Sequence, residues 1–409
     1  MRVRYDVPYW LDRVPAARQP RWPRLREEID ADVAIVGGGL CGALAAYFCA
    51  RQGNRVVLLE AGRVGQQSSG RSSGFVRGMP VVSFRQLQGR YGLKRARTMV
   101  DEMRRAALDL AALVRRLAIR SHLALGSAAV VAVDELDVLE LRRELGALKA
   151  AGFESSWMPR AKVLNASGID APGAMRVDHD GHVDPYALTL GAVRAAVAAG
   201  AQVFEQTAVR RTRSGRRTAL VTTAGTGAVR APLVLMCTGA PSTLFPALVR
   251  HVRAFETYCV ATPPLPQALL RQLGVWPSGR DSSAPVHEWR RTPDGRLLFQ
   301  GAEQTAVPAR LRPKVVVQRT GQLMYELSRL YPFISGLVPD YGWSCATETT
   351  ADGILVAGRH RAFPQHAFAF GLGRGGPEAA YLGARILARV AAGAPDKADE
   401  AFGFPRLVR

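Results

Sequence analysis

The chain holds 409 residues, 48% of them hydrophobic, enough for a large buried core and for two domains rather than one. Its formal net charge is +21, yet arginine is dispersed along the whole length with no dense basic run or interleaved aromatics, which argues against a nucleic-acid groove. A bilayer-length apolar run, a tandem repeat and a His/Cys cluster at metal spacing are all absent, and five cysteines, an odd number, fit a reducing, cytoplasmic setting without disulfides or a metal.

Residues 1–30 are basic and proline-rich without the apolar centre of a signal peptide, and read as an arm packed on the first domain. The apolar run Val33-Ala34-Ile35-Val36 then reads as a strand, followed by Gly37-Gly38-Gly39-Leu40-Cys41-Gly42 and a small-residue helix to about Gln52. Gly37 permits the tight turn, Gly39 lets backbone approach a pyrophosphate, and Gly42 lets helix and strand pack closely, while the helix N-terminus offers free N–H groups. A second run, Arg55 to Leu59, ends in Glu60, an acid placed to accept hydrogen bonds from ribose hydroxyls. Strand, glycine turn, helix and acid in register predict a βαβ dinucleotide site. The polar loop that follows, Ala61-Gly62-Arg63 and then Ser68 to Gly74, is long enough to wrap a cofactor longer than nicotinamide and argues for FAD.

Further along, Leu93 to Leu117 has the period of an amphipathic helix, with Met99, Met103, Leu108 and Leu110 among its apolar positions. Gly181 to Leu188 opens another helix, and Leu233 to Ala240 reads as a strand and turn. Arg291 to Arg296 is a turn signal leading into the strand Leu297-Leu298-Phe299. Phe368 to Pro377 is a glycine loop entering a helix that carries Leu382, Ile386 and Val390 on one face and ends near Gly393. The N-terminus of that helix suits negative charge developing against Gly373 to Gly376.

Four of these stretches, E-A-x-R with S-G-R-x-x-G at Glu60 to Gly74, G-x-V-D-P at Gly181 to Pro185, the strand and turn at Leu233 to Ala240, and the glycine loop at Phe368 to Pro377, stand in a telling order. In it the chain resembles the D-amino-acid-oxidase-like (DAO) family of FAD-dependent oxidoreductases over Asp32 to Gly393. The resemblance implies an α/β fold: a Rossmann-like FAD-binding domain of glutathione-reductase type, from residues 31–80, 181–250 and 339–395, and a discontinuous α+β substrate domain on a mixed or antiparallel sheet, from 81–180 and 251–338, with 396–409 as a tail. It implies FAD contacts at Gly37, Gly39, Leu40, Cys41, Gly42, Glu60, Ala61, Arg63, Ser69, Gly70, Arg71, Ser72, Ser73 and Gly74. Further contacts are expected at Val209, Thr238, Gly239, Ala240, Gly373, Arg374, Gly375, Gly376 and Pro377.

The implied reaction removes a hydride equivalent from a carbon bearing an amine and delivers it to flavin N5, leaving an imine to hydrolyse. Arg77 stands where sarcosine-oxidase-like members clamp a substrate carboxylate, a task that suits bidentate guanidinium pairing. Glu378 departs from the pattern, since those members carry a carboxylate-binding lysine there; it could pair with Arg77, hold a cationic amine or stabilise the helix N-terminus. Phe299, beside Gln300, falls where those members keep a lysine that helps oxygen react, so the electron acceptor is left open between oxygen and an electron carrier. Cys345 resembles the position of a covalent FAD link in some members, with non-covalent FAD favoured here. The competing readings are a basic, RNA-directed (tRNA-modifying) flavoprotein and a non-enzymatic FAD-binding protein.

Overall fold

Runs of four apolar residues, too short for helices and buried on both faces, form the parallel strands at the centre of the molecule. The computed structural model describes residues 3–407 apart from Ser242, Pro277 and Arg374. In chain order the elements that build the site are β1 (Val33–Val36), α1 (Leu40–Arg51), β2 (Val56–Leu59), α2 (Leu93–Arg116), β3 (Gly173–His182), α3 (Pro185–Ala198), β4 (Gln202–Phe204) and β5 (Leu233–Gly239). They continue with β6 (Val252–Ala261), β7 (Glu288–Arg291), β8 (Leu297–Thr305), β9 (Tyr341–Thr350), β10 (Val356–His360), β11 (Phe363–Phe370) and α4 (Pro377–Ala391).

A six-stranded sheet runs in the order β10-β11-β5-β1-β2-β4, parallel except for the β10–β11 pair. The chain leaves β1 toward β2 on one side and returns to β5 on the other, so strand order reverses at β1, where open parallel sheets bind ligands beyond their carboxyl ends. Helices α1, α3 and α4 cover one face, and their alanine-rich surfaces let them pack closely. The long helix α2 packs on α4 and buries Met99, Met103, Ala107, Leu110 and Val114; Leu108 falls outside that stripe and is 42% exposed.

A ten-stranded mixed sheet lies beyond the carboxyl ends of the parallel strands and includes β9, β6, β8 and β7 side by side, with β3 further along. Strand parity decides which of its side chains reach the space between the sheets. Trp289 of β7 and Leu297 and Phe299 of β8 join a core that includes Val316 and Leu323 of the Arg312–Leu330 helix, so Glu288, Arg290, Leu298 and Gln300 take the opposite face. The predicted turn at Arg291 to Arg296 closes the antiparallel β7–β8 hairpin.

The N-terminal arm is more integrated than an appendage. Arg4–Tyr5 pairs with β9, Tyr9 and Trp10 are buried in the main core, and Glu28–Asp30 completes a small four-stranded sheet. All five cysteines are buried and free. Among the described residues no helix is long and apolar enough to cross a membrane, and no group of His, Cys, Asp and Glu could hold a metal ion.

Candidate active site and cofactor cavity

At the carboxyl end of β1 the chain turns under steric constraints that only glycine meets. Gly37 has φ +109°, and a Cβ on it would lie 2.5 Å from the Cys237 carbonyl oxygen of β5. A Cβ on Gly42 would lie 1.9 Å from the Gly37 carbonyl oxygen, so α1 touches the turn backbone directly. Glu60, at the end of β2, accepts hydrogen bonds from the amides of Gly38 and Gly62, each at 2.7 Å. Burial pushes its carboxyl up while those amides pull it back. The Ser69 hydroxyl oxygen accepts from the Leu40 amide at 2.9 Å, tying the polar loop to the first turn of α1.

These groups form one end of a cavity of about 480 Å³ that runs from Glu60 to the ten-stranded sheet. Among the residues expected to contact FAD, Gly37, Gly39, Leu40, Cys41, Glu60, Ala61, Arg63, Ser69, Ser72, Ser73 and Gly74 line it. So do Val209, Thr238, Gly239, Cys345, Gly373, Gly376 and Pro377. Other expected contacts lie off the wall for identifiable reasons. Gly42, Gly70 and Gly375 are packing glycines: a Cβ on Gly70 would meet the Gly65 carbonyl oxygen at 2.3 Å, and one on Gly375 the Ala379 Cβ at 2.2 Å. Arg71 turns away, donating to the Ser344 carbonyl at 2.8 Å and pairing with Asp6 of the arm. Ala240 serves through its carbonyl, which accepts from the Thr238 hydroxyl at 2.7 Å. Arg374 lies outside the described residues.

At the far end the expected substrate residues part company. Arg77 lines the cavity, but its partner is Glu288 of β7: Nε donates to Oε1 at 2.8 Å and Nη2 to Oε2 at 2.5 Å. Gln300 of β8 donates to the same Oε2. Glu378 is not on the wall. It is wholly buried behind Gly376, with neither carboxylate oxygen in a hydrogen bond of good geometry, and no ion pair joins it to Arg77 among the described residues. Burial pushes its carboxyl up to about 8, against the partial pull of Arg77 and nearby amides. Phe299 is also off the wall, stacked on His287 at 5.3 Å in the second core, because parity gives the cavity to Gln300.

Val81, Thr257, Pro285 and Val286 also line the cavity, as do Glu303 and the Ala346-Thr347-Glu348 stretch. Gln300 was marked only as the neighbour of Phe299, and Glu288 carried no signal, lying in a stretch with no motif. Arg290, two residues on, is fully buried under the polar loop, where Nη1 donates to the Val183 carbonyl at 2.7 Å and the guanidinium stacks over Trp10 at 4.9 Å.

The donor set fits FAD. A glycine cradle whose Cβ positions are occupied by backbone, a carboxylate with lone pairs left for ribose hydroxyls, and a helix N-terminus at Pro377 all face one elongated cavity. Comparison with known proteins agrees. The DAO family model, described as FAD dependent oxidoreductase, matches residues 32–390. The chain is 28% identical over 335 residues to the probable oxidoreductase OrdL of Rhizobium meliloti (strain 1021), covering 80% of this chain and 75% of that one. It is 27% identical over 333 residues to gamma-glutamylputrescine oxidoreductase of Escherichia coli (strain K12), covering 78% and 74%. The crystal structure of glycine oxidase from Geobacillus kaustophilus shares the fold at a TM-score of 0.76 and 23% identity, over 90% of this chain and 96% of that one. Cradle, cavity and family match together place this chain in the DAO family of FAD-dependent oxidoreductases.

Proposed function

We propose that this chain oxidises a carbon–nitrogen bond of a small amine or amino acid, with FAD held non-covalently along the cavity. The observation that carries the reading is the cavity's continuity from Glu60 to Glu288 and Gln300: a dinucleotide cleft that ends against a buried carboxylate and a half-buried amide. Relatives named for glycine and gamma-glutamylputrescine support the carbon–nitrogen class. When bound, FAD supplies the acceptor for a hydride equivalent from the carbon beside nitrogen.

The chain's own part is to position that carbon and exclude water. Val81, Pro285 and Val286 give apolar contact, and Thr257, Gln300 and Glu288 give hydrogen-bonding partners. Glu60, Gly39, Val209 and Thr238 would hold the adenosine and pyrophosphate side, and Gly373, Gly376 and Pro377 the ring side. Cys345 lines the cavity, but burial pushes its thiol up to about 12 and the Ser68 and Ala346 carbonyls accept from it at 3.6 Å, which favours a neutral thiol over a nucleophile. Among the described lining residues there is no lysine, which favours an electron carrier over oxygen as the final acceptor. Buried free cysteines suit a reducing compartment such as the cytoplasm.

The purified protein is expected to be yellow, to release FAD into the supernatant on acid precipitation, and to bleach anaerobically with an amine or amino acid. A colourless protein that takes up no added FAD overturns the reading. A yellow pellet that loses its colour in Cys345→Ser overturns the non-covalent part.

A further inference from the structure

We propose that Glu288 fills from within the position where a substrate carboxylate would pair with Arg77, so that the pocket takes amines without an α-carboxylate and binds them as cations. This rests on the carbon–nitrogen oxidation reading above and adds the substrate class to it. A guanidinium recognises a carboxylate best through two parallel N–H donors. Arg77 has spent that edge on Glu288, through Nε at 2.8 Å and Nη2 at 2.5 Å. Its remaining nitrogen, Nη1, faces the space beside Gly376, on which the Glu378 carboxylate also borders, and Glu378 is among the charges acting on Arg77. Both side chains of the Arg77–Glu288 pair are buried, at 7% and 4% exposure, and Gln300 holds Glu288 in place from the neighbouring strand.

A substrate carboxylate could pair with that edge of Arg77 only by displacing Glu288, and at Nη1 it would be a second carboxylate sharing one buried cation. An ammonium meets the opposite situation. Glu288 has accepted three hydrogen bonds of the four or so its lone pairs allow, so one acceptor position remains on a side chain that lines the cavity together with Thr257 and Gln300. Val81, Pro285 and Val286 provide the apolar wall for the attached alkyl chain. The bound ammonium releases one proton to water before the carbon beside it gives up a hydride equivalent, so the cation is the form recognised and the neutral amine the form oxidised.

The test uses the FAD-loaded protein at neutral pH. Flavin difference spectra are titrated with butylammonium and with acetate, and anaerobic bleaching is compared for butylamine-type amines and for glycine and alanine. Expected is butylammonium binding at least tenfold tighter than acetate, with bleaching confined to the amines. In Glu288→Gln, which frees Arg77, acetate should tighten about tenfold and butylammonium weaken. Should that variant not fold, the wild-type titration decides alone. Equal or tighter binding of acetate by the wild type, or bleaching by glycine or alanine alone, overturns this inference and leaves carbon–nitrogen oxidation standing. A flavin that neither class reduces takes down both.

Discussion

At the Glu60 end of the cavity a buried carboxylate is held by two backbone amides two residues and twenty-two residues away, whereas at the other end Glu288 is held by the side chains of Arg77, from a loop, and Gln300, from the neighbouring strand. The first arrangement depends on where the backbone goes, so it demands glycines at set spacing and tolerates little else. The second depends on three side chains arriving together, and any one can be exchanged without a backbone clash. Cofactor cradle and substrate pocket are therefore expected to fail in different ways.

The largest effect should come from breaking the side-chain end. Arg77→Met leaves Glu288 buried beside Gln300 without its cation, and the loss of one partner of a buried pair costs about 3–5 kcal/mol. Chemical denaturation should show that loss, and Arg77→Met with Glu288→Leu should recover most of it. A single variant as stable as the parent would mean that the pair is solvated. The backbone end should break more locally. Gly42→Ala forces a Cβ against the Gly37 carbonyl and should cost about 1–3 kcal/mol with loss of bound FAD, measured by flavin content and melting temperature. Gly146→Ala, in the Glu135–Ala150 helix with nothing within 4 Å of its Cβ, should instead stabilise by about 0.5–1 kcal/mol.

The same contrast explains what could be read from the chain in advance. Gly37, Gly39, Gly42 and Glu60 announce themselves because a βα turn against a second strand has few solutions, and Pro377 marks a helix start for equally local reasons. Glu288 does not, because its role is made by Arg77, which lies just past the short strand Phe75–Val76 and 211 residues away. Phe299 was misplaced by one position: Leu297-Leu298-Phe299 is buried on both faces, so the run shows no alternation from which to tell the cavity side. Arg71 and Glu378 sit in the expected motifs, yet packing turns one toward Asp6 and Ser344 and seals the other behind Gly376.

Glu60→Gln probes the cradle without moving its backbone. The amide can still accept from Gly38 or Gly62, but the charged hydrogen bonds expected to ribose are lost, which should weaken FAD binding by about 1.5–3 kcal/mol. Equilibrium dialysis or fluorescence quenching of added FAD would measure it, and an unchanged dissociation constant would remove Glu60 from the ribose site.

Glu378 offers the subtlest test, because it is the carboxylate that neither device satisfies. Burial raises both Glu60 and Glu378, but amides from Gly38 and Gly62 hold the former, whereas the latter rises from 4.5 to about 8. A carboxyl whose pKa is higher in the folded chain than in the unfolded one binds more protons when folded throughout that interval. Its contribution to stability is therefore fully present below about pH 4.5 and is lost as pH rises through about 8, with a slope of up to about 1.4 kcal/mol per pH unit. Other acids, including buried Asp180 and half-buried Glu348, shift in the same direction, so the informative quantity is the parent minus Glu378→Gln at each pH, with FAD saturating. That difference should decline from pH 5 to 8 and flatten above. A flat difference across the whole range would mean that Glu378 ionises normally, and that its carboxylate reaches water or Arg77 in solution.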